Sequence, residues 1–201
     1  FAMILGYPGR TNRWMPAQGV EQNVKFAYPA WVEGSKLSMD VMKKYMDNDD
    51  AINLMYASSY ASIANYWKNR AGMIDALTDH KTVATKTKVE DAFDKWANKK
   101  KNKAEYGNVI SDINAYYKLT NEKAQHDNYL TGILRASKFA VLPSRIGGAL
   151  KQYAESNDAA RENMLPRLQS FIDASYKDYY LPLEKEVLAK QLNLYASKAN
   201  Y

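Results

Sequence analysis

From Asp50 to Leu77 apolar side chains return every three or four positions in a stretch free of proline. Ile52, Met55, Tyr56, Ser59, Ile63, Tyr66, Arg70 and Ile74 share one stripe at about 100° per residue, which predicts a long central helix with one mostly apolar face. The opposite stripe is unusual: Leu54, Ser58, Ala61, Asn65 and Lys68 are mostly small and carry one amide and one ammonium. Small side chains let another backbone or a ligand come close. Two readings stay open for this face. Either it packs tightly on a neighbour, with Asn65 hydrogen-bonded to a loop, or it faces a ligand and Asn65 is its polar contact.

The rest of the pattern is also helical. A short helix is expected around Gln18 to Phe26, and from Ala30 the residues Trp31, Leu37, Val41, Met42, Tyr45 and Met46 mark a stripe that Gly34 could bend or interrupt. Thr78-Asp79-His80 breaks the central helix before another with core marks Val89, Phe93 and Trp96, ending near Tyr106-Gly107. Asn108 opens a long segment carrying Ile110, Ile113, Tyr117, Thr120 and Ala124, then Leu130, Ile133 and Leu134, with a kink or break expected at Pro143. Arg145 to Tyr153 reads as a helical turn or two. Asn157 caps a segment toward Leu165, and Pro166 starts or kinks the one bearing Leu168, Phe171 and Ile172. Pro182 opens a final helix with Leu183, Val187, Leu188, Leu192 and Tyr195. Only Phe1 to Gly6 reads as an apolar strand, followed by a turn in which Pro8 fixes φ and Gly9 permits φ > 0. The fold class expected is an all-α, irregular antiparallel bundle with a short N-terminal strand stub.

Composition supports helices: 46% hydrophobic residues suffice for a core, and nine Gly with six Pro are few for an all-β chain of 201 residues. Tyrosine, with 16 copies, suits helix faces that are half buried or line a cleft, since its ring packs while its hydroxyl stays available. The net charge of +6 comes from interspersed residues, and the one dense run, Lys99, Lys100, Lys101 and Lys103, reads as a solvated helix end meeting the negative end of a helix dipole. No nucleic-acid partner is expected. No apolar run approaches the roughly 20 residues that span a bilayer, so no membrane span is expected.

The chemistry of a self-sufficient enzyme is missing. Cysteine is absent, which excludes thiol catalysis and cysteine zinc sites, and the two histidines, His80 and His126, sit in no catalytic or metal-binding motif and read as surface or capping residues. Asp47-Asn48-Asp49-Asp50 starts like a calcium loop, but Ile52 stands where the turn needs Gly and Ser58 where a bidentate Glu belongs; helix capping is the expected role. No catalytic residue, cofactor or metal is therefore expected in this chain.

Several strings are family-like. Gly6-Tyr7-Pro8-Gly9-Arg10-Thr11-Asn12-Arg13, Gly19-Val20-Glu21-Gln22, Tyr56-Ala57-Ser58-Ser59-Tyr60, Asn65-Tyr66-Trp67-Lys68-Asn69 and Gly72-Met73, in that order and spacing, resemble the bacterial dipeptidyl peptidases of serine-peptidase family forty-six. The likeness recurs in Lys103 to Val109 and fades to helical character beyond about Asn128. It implies a chymotrypsin-like double β-barrel into which a helical capping domain is inserted, and removal of dipeptides from free peptide N-termini in the periplasm or at the cell surface. On this reading residues 1–14 are the end of an upstream barrel strand and its turn, and residues 15–201 are the helical domain, incomplete at its C-terminus. The triad lies outside the chain, the partners are peptide substrates and the flanking barrel domain, and Asn65, by its place in the Asn-Tyr-Trp-Lys-Asn motif, helps hold the substrate α-amino group. The competing expectation is an autonomous helical peptide- or glycan-binding module with Trp31, Trp67 and Trp96 lining a groove.

Overall fold

Helix formation starts at Pro16 in the computed structural model, which describes residue 3 and residues 14–199. The strand and turn expected over Phe1 to Arg13 lie outside the described residues, Met3 excepted. Helix α1 (Ala17–Gln22) passes through a π-helical turn (Asn23–Ala27) into α2 (Tyr28–Met46) without a break. The expected short helix and the following one are thus one rod. Pro29 sits in the first turn of α2, and its missing N–H is accommodated by the π turn just before it, where Tyr28 N–H bonds Asn23 O. Gly34 interrupts nothing.

The N-terminus of α1 is fixed from a distance. Pro16 has no side chain to cap it, and Glu90 of α4 (Thr82–Ala97) accepts the Ala17 N–H at 2.6 Å. Gln22 then reaches α6 (Val109–Ala136), donating to Thr120 Oγ1 at 3.1 Å and Asn121 Oδ1 at 3.2 Å. This use of α4 corrects its expected face: Val89 is 68% exposed and Trp96 half exposed, while Glu90, Phe93 and Ala97 turn inward. The helix also ends earlier than expected, at Ala97. The lysine run that follows is exposed, and α5 (Lys103–Tyr106) is a separate turn.

The central helix, α3 (Asp50–Asp79), is as expected, with Asp49 capping it by accepting from Ala51 N–H at 2.8 Å and Ile52 N–H at 3.1 Å. Lys81, at φ 49°, reverses the chain into α4. A kink or break is expected at Pro143; the break falls at Ser137, six residues earlier. Ser137 adopts extended backbone and caps α7 (Lys138–Glu155), and Pro143 lies within that helix. Pro166 likewise lies inside α8 (Asp158–Tyr176), which Asn157 caps as expected through Ala160 N–H at 2.9 Å. Helices α7 and α8 form a hairpin, and α9 (Leu181–Lys198) returns along α2 and α6. The described residues are all-α with no sheet.

The core is a seam where α2, α3 and α9 meet, built from Val41, Met42, Met46, Ile52, Tyr56, Leu183 and Val187. A second cluster joins α2, α6 and α9 through Ala30, Tyr129 and Leu194. Of the residues expected to face inward on α9, Leu192 is 48% exposed; its place is taken by polar Glu184 and Gln191, both buried. Gln191 Nε2 donates to Gly34 O and to Ser38 Oγ, each at 2.7 Å. Gly132 of α6 packs tightly at the same spot, where a Cβ would stand 3.1 Å from Gln191 Oε1 and push the amide aside by a few tenths of an ångström. One amide therefore sets the spacing of three helices. On the solvent side, Glu186 joins α9 to α2 by accepting from Lys44 Nζ at 2.8 Å and Tyr45 OH at 2.9 Å.

Gln191→Leu keeps the volume but strands Ser38 and a backbone carbonyl in the core. It should destabilise the fold by about 2 kcal/mol, read as a Tm lowered by roughly 4–8 °C; an unchanged Tm would mean the amide does not hold the seam. The Glu186 carboxyl is held down to about 2 by its hydrogen bonds with Lys44 first, then Lys190 and Tyr45. A depressed folded pKa gives stability that is present above the unfolded carboxylate value and lost as pH falls through the folded one. Glu186→Gln should therefore be less stable than the parent at neutral pH, with the difference closing between about pH 4.5 and pH 2 in thermal melts; a gap constant across that window would assign the loss to packing.

Candidate functional site

Helix α3 buries one side only. Ile52 and Tyr56 pack into the core, and Ile63, Arg70 and Ile74 are half buried along the same line; Ser59, placed on that stripe by spacing, is exposed. The opposite stripe of Leu54, Ser58, Ala61, Asn65 and Lys68 is bare, with Leu54 83% exposed. A Cβ on Gly72, further along the helix, would meet nothing within 4 Å. Asn65 is exposed and no described residue hydrogen-bonds its amide, so among the described residues the loop contact is not made. This leaves an open strip of mostly small residues with a carbonyl oxygen and an NH₂ that no described residue engages at its middle, on a helix held from behind.

The rigidity has a specific source near the end of α3 that faces α7 and α9. Tyr56 donates to Glu184 Oε1 at 2.8 Å and accepts from Tyr180 N–H at 3.1 Å. The second Glu184 oxygen accepts Lys138 N–H at 2.7 Å, the first free donor of α7. Burial first, and the adjoining carboxylate after it, raise the Tyr56 phenol well above its ordinary value, so it remains a donor at every physiological pH.

Beside the open strip lies a cavity of about 440 Å³ between α2, α3, α6 and α9. Its walls include Trp31, Ser62, Tyr66, Asn128, Arg135 and Gln191. Arg70 lies over the Trp31 ring at 3.8 Å, and Arg135 lies 5.6 Å from the same ring. Burial first, with the Arg135 charge contributing, lowers the affinity of the Arg70 guanidinium for its proton. Of the three tryptophans considered for a groove, Trp31 alone lines this cavity; Trp67 sits half buried on the far flank of α3, and Trp96 stacks on Phe93 and Tyr106. The arginine pair escaped notice in the sequence because Arg70 and Arg135 are 65 positions apart, and helix periodicity places Arg70 on the core face without saying what it meets.

The histidines divide. His80 is the exposed C-cap of α3, as expected. His126 is instead part of the bundle, its Nε2 2.6 Å from Tyr195 OH, which ties α6 to α9.

The family model of Peptidase S46 matches residues 1–201. The chain is 52% identical to "Dipeptidyl-peptidase 7" of Capnocytophaga gingivalis over 200 residues, covering 99% of this chain and 28% of that protein. It is 28% identical to the "Asp/Glu-specific dipeptidyl-peptidase" of Flavobacterium psychrophilum over 204 residues, again 99% of this chain and 28% of the other. Among solved structures it superposes on Porphyromonas endodontalis DPP11, crystallised in complex with the dipeptide Arg-Glu, with a TM-score of 0.75 at 25% identity, over 96% of this chain and 28% of that one. The helices traced here thus follow a helical portion of that structure, the chain spans little more than a quarter of the relatives it matches, and it belongs to the Peptidase S46 family.

Proposed function

We propose that this chain is the helical capping and substrate-gating domain of a serine-type dipeptidyl peptidase that removes dipeptides from peptide N-termini. The observation that carries the reading is the bare strip of α3, with Asn65 free at its centre, in a chain of this family. A second, catalytic part of the same protein, a β-barrel domain built from the sequence on either side, would supply the His-Asp-Ser triad and cover that strip. Residues 1–14 would be the end of its upstream strand and turn. The periplasm or the cell surface is the location that goes with this activity. An autonomous binding module is disfavoured by how little of its relatives' length the chain spans.

Asn65 has the right chemistry for an N-terminus. A substrate ammonium leaving water needs oxygen acceptors, and an amide carbonyl provides one that does not titrate. Held on a rigid helix at a fixed distance from the nucleophile, such an anchor measures off two residues and sets the cleavage point by position. A neutral acceptor also releases the product amine more readily than a carboxylate would.

In the full-length protein Asn65→Ala should lower kcat/KM by about ten- to 150-fold, the loss of one hydrogen bond to a charged group. The Tm of the mutant should stay within about 0.5 kcal/mol equivalent of the parent, because the side chain is exposed and unbonded. Activity within a factor of about two of wild type would remove Asn65 from the site, and a large fall in Tm would make it a packing residue. The 201-residue chain alone should hydrolyse no dipeptidyl substrate. Turnover by a clean preparation, abolished by a serine-directed inhibitor, would overturn the assignment.

A further inference from the structure

The cavity behind α3 combines three features that a purely structural gap would not need. Arg135 opens onto it, and neither Arg135 nor Arg70 has a described carboxylate within ion-pair distance, although both guanidiniums gather on the one Trp31 ring. Arg161, by contrast, meets Asp158 at 3.4 Å. Two cations this close without an anion leave a positive field in a partly dry site. Gln191, 2% exposed, is held by its Nε2 on Gly34 O and Ser38 Oγ, which leaves its Oε1 with no described donor. Asn128, whose Nδ2 is committed to Ala124 O at 2.7 Å, likewise keeps a free Oδ1 on the cavity wall. Trp31 and Tyr66 supply flat apolar surface between them.

We infer that this cavity binds a small zwitterion of dipeptide size: its carboxylate paired with Arg135, its ammonium or amide N–H accepted by the free oxygens of Gln191 and Asn128, and an apolar side chain laid against Trp31 and Tyr66. A volume of about 440 Å³ suits such a molecule and is too small for a folded partner. The guanidinium offers a bidentate fork to a carboxylate, and the bound anion would relieve the repulsion between the two arginines. The inference stands on the cavity itself and holds whether or not the chain caps a peptidase.

Titration calorimetry of the 201-residue chain with glycyl-phenylalanine, and with its C-terminal amide at the same ionic strength, tests it. The acid should bind with a Kd of about 1 mM or tighter, the amide about ten-fold or more weakly, and Arg135→Gln should remove the preference for the acid. Arg135→Gln should melt with the parent, since no described carboxylate depends on Arg135, so its loss of binding cannot be put down to unfolding. Absence of binding up to about 10 mM, equal affinity for acid and amide, or an Arg135→Gln chain that binds as the parent does would each overturn the inference. A missing peptidase activity in the longer protein would leave all three readouts as they are.

Discussion

One buried carboxylate determines how the second half of the chain is placed. Glu184 is 2% exposed, and an ionised carboxyl at that depth is tolerable only when its oxygens are met by donors. It has them: the Tyr56 phenol from α3 and the Lys138 N–H at the start of α7. The charge also stands at two helix N-termini, that of α7 and that of α9, in whose first turn Glu184 lies. Three consequences follow. The α6–α7 break must occur at Ser137, one residue before the donor Glu184 needs; the Tyr180 N–H must point at Tyr56; and α3 cannot rotate about its axis without breaking both bonds. The Asn65 face is thus oriented from behind by chemistry more than two helical turns away.

The helices themselves were legible because their stripes are long. α3 and α9 begin where their signals lie, at Asp49-Asp50 and at Pro182, and the helix carrying Asn157 begins at its cap. The errors share one cause, which is that hydrophobic periodicity ignores polar groups that are buried with partners. Val89 and Leu192 were placed inside by their apolarity, yet the inward positions of α4 and α9 hold Glu90, Glu184 and Gln191. Each does a task that no apolar residue can do, capping a helix start or holding a backbone carbonyl at a close crossing. A kink or break is expected at Pro143 and a start or kink at Pro166; both prolines lie inside helices, and the break uses the extended Ser137 instead.

The site was legible in part. That one stripe of α3 is small and polar could be read from spacing, and the family strings centre on it; that Asn65 stands free of any described partner could not, because a hydrogen bond to a loop leaves no mark in the sequence. The cavity was not visible at all. It arises from Gly34 and Gly132 drawing α2 and α6 onto Gln191, and from Arg70 and Arg135 converging on Trp31 out of three different helices. Sixteen tyrosines hinted at wet helix faces without saying where.

A division of labour between the two faces of α3 follows from these contacts. Its buried face is committed by Ile52, Tyr56 and Arg70 to the core, to Glu184 and to the Trp31 stack, so substitutions there disturb several helices together. Its open face is exposed among the described residues, so exchanging Leu54, Ser58, Ala61, Asn65 or Lys68 changes what the helix presents at little expense to the fold. A domain that positions ligands for chemistry performed elsewhere needs this separation, because small displacements of an anchor carry large penalties in rate while the anchor's identity must stay adjustable. A single long helix, capped at Asp49 and clamped at Tyr56, meets both demands with one element.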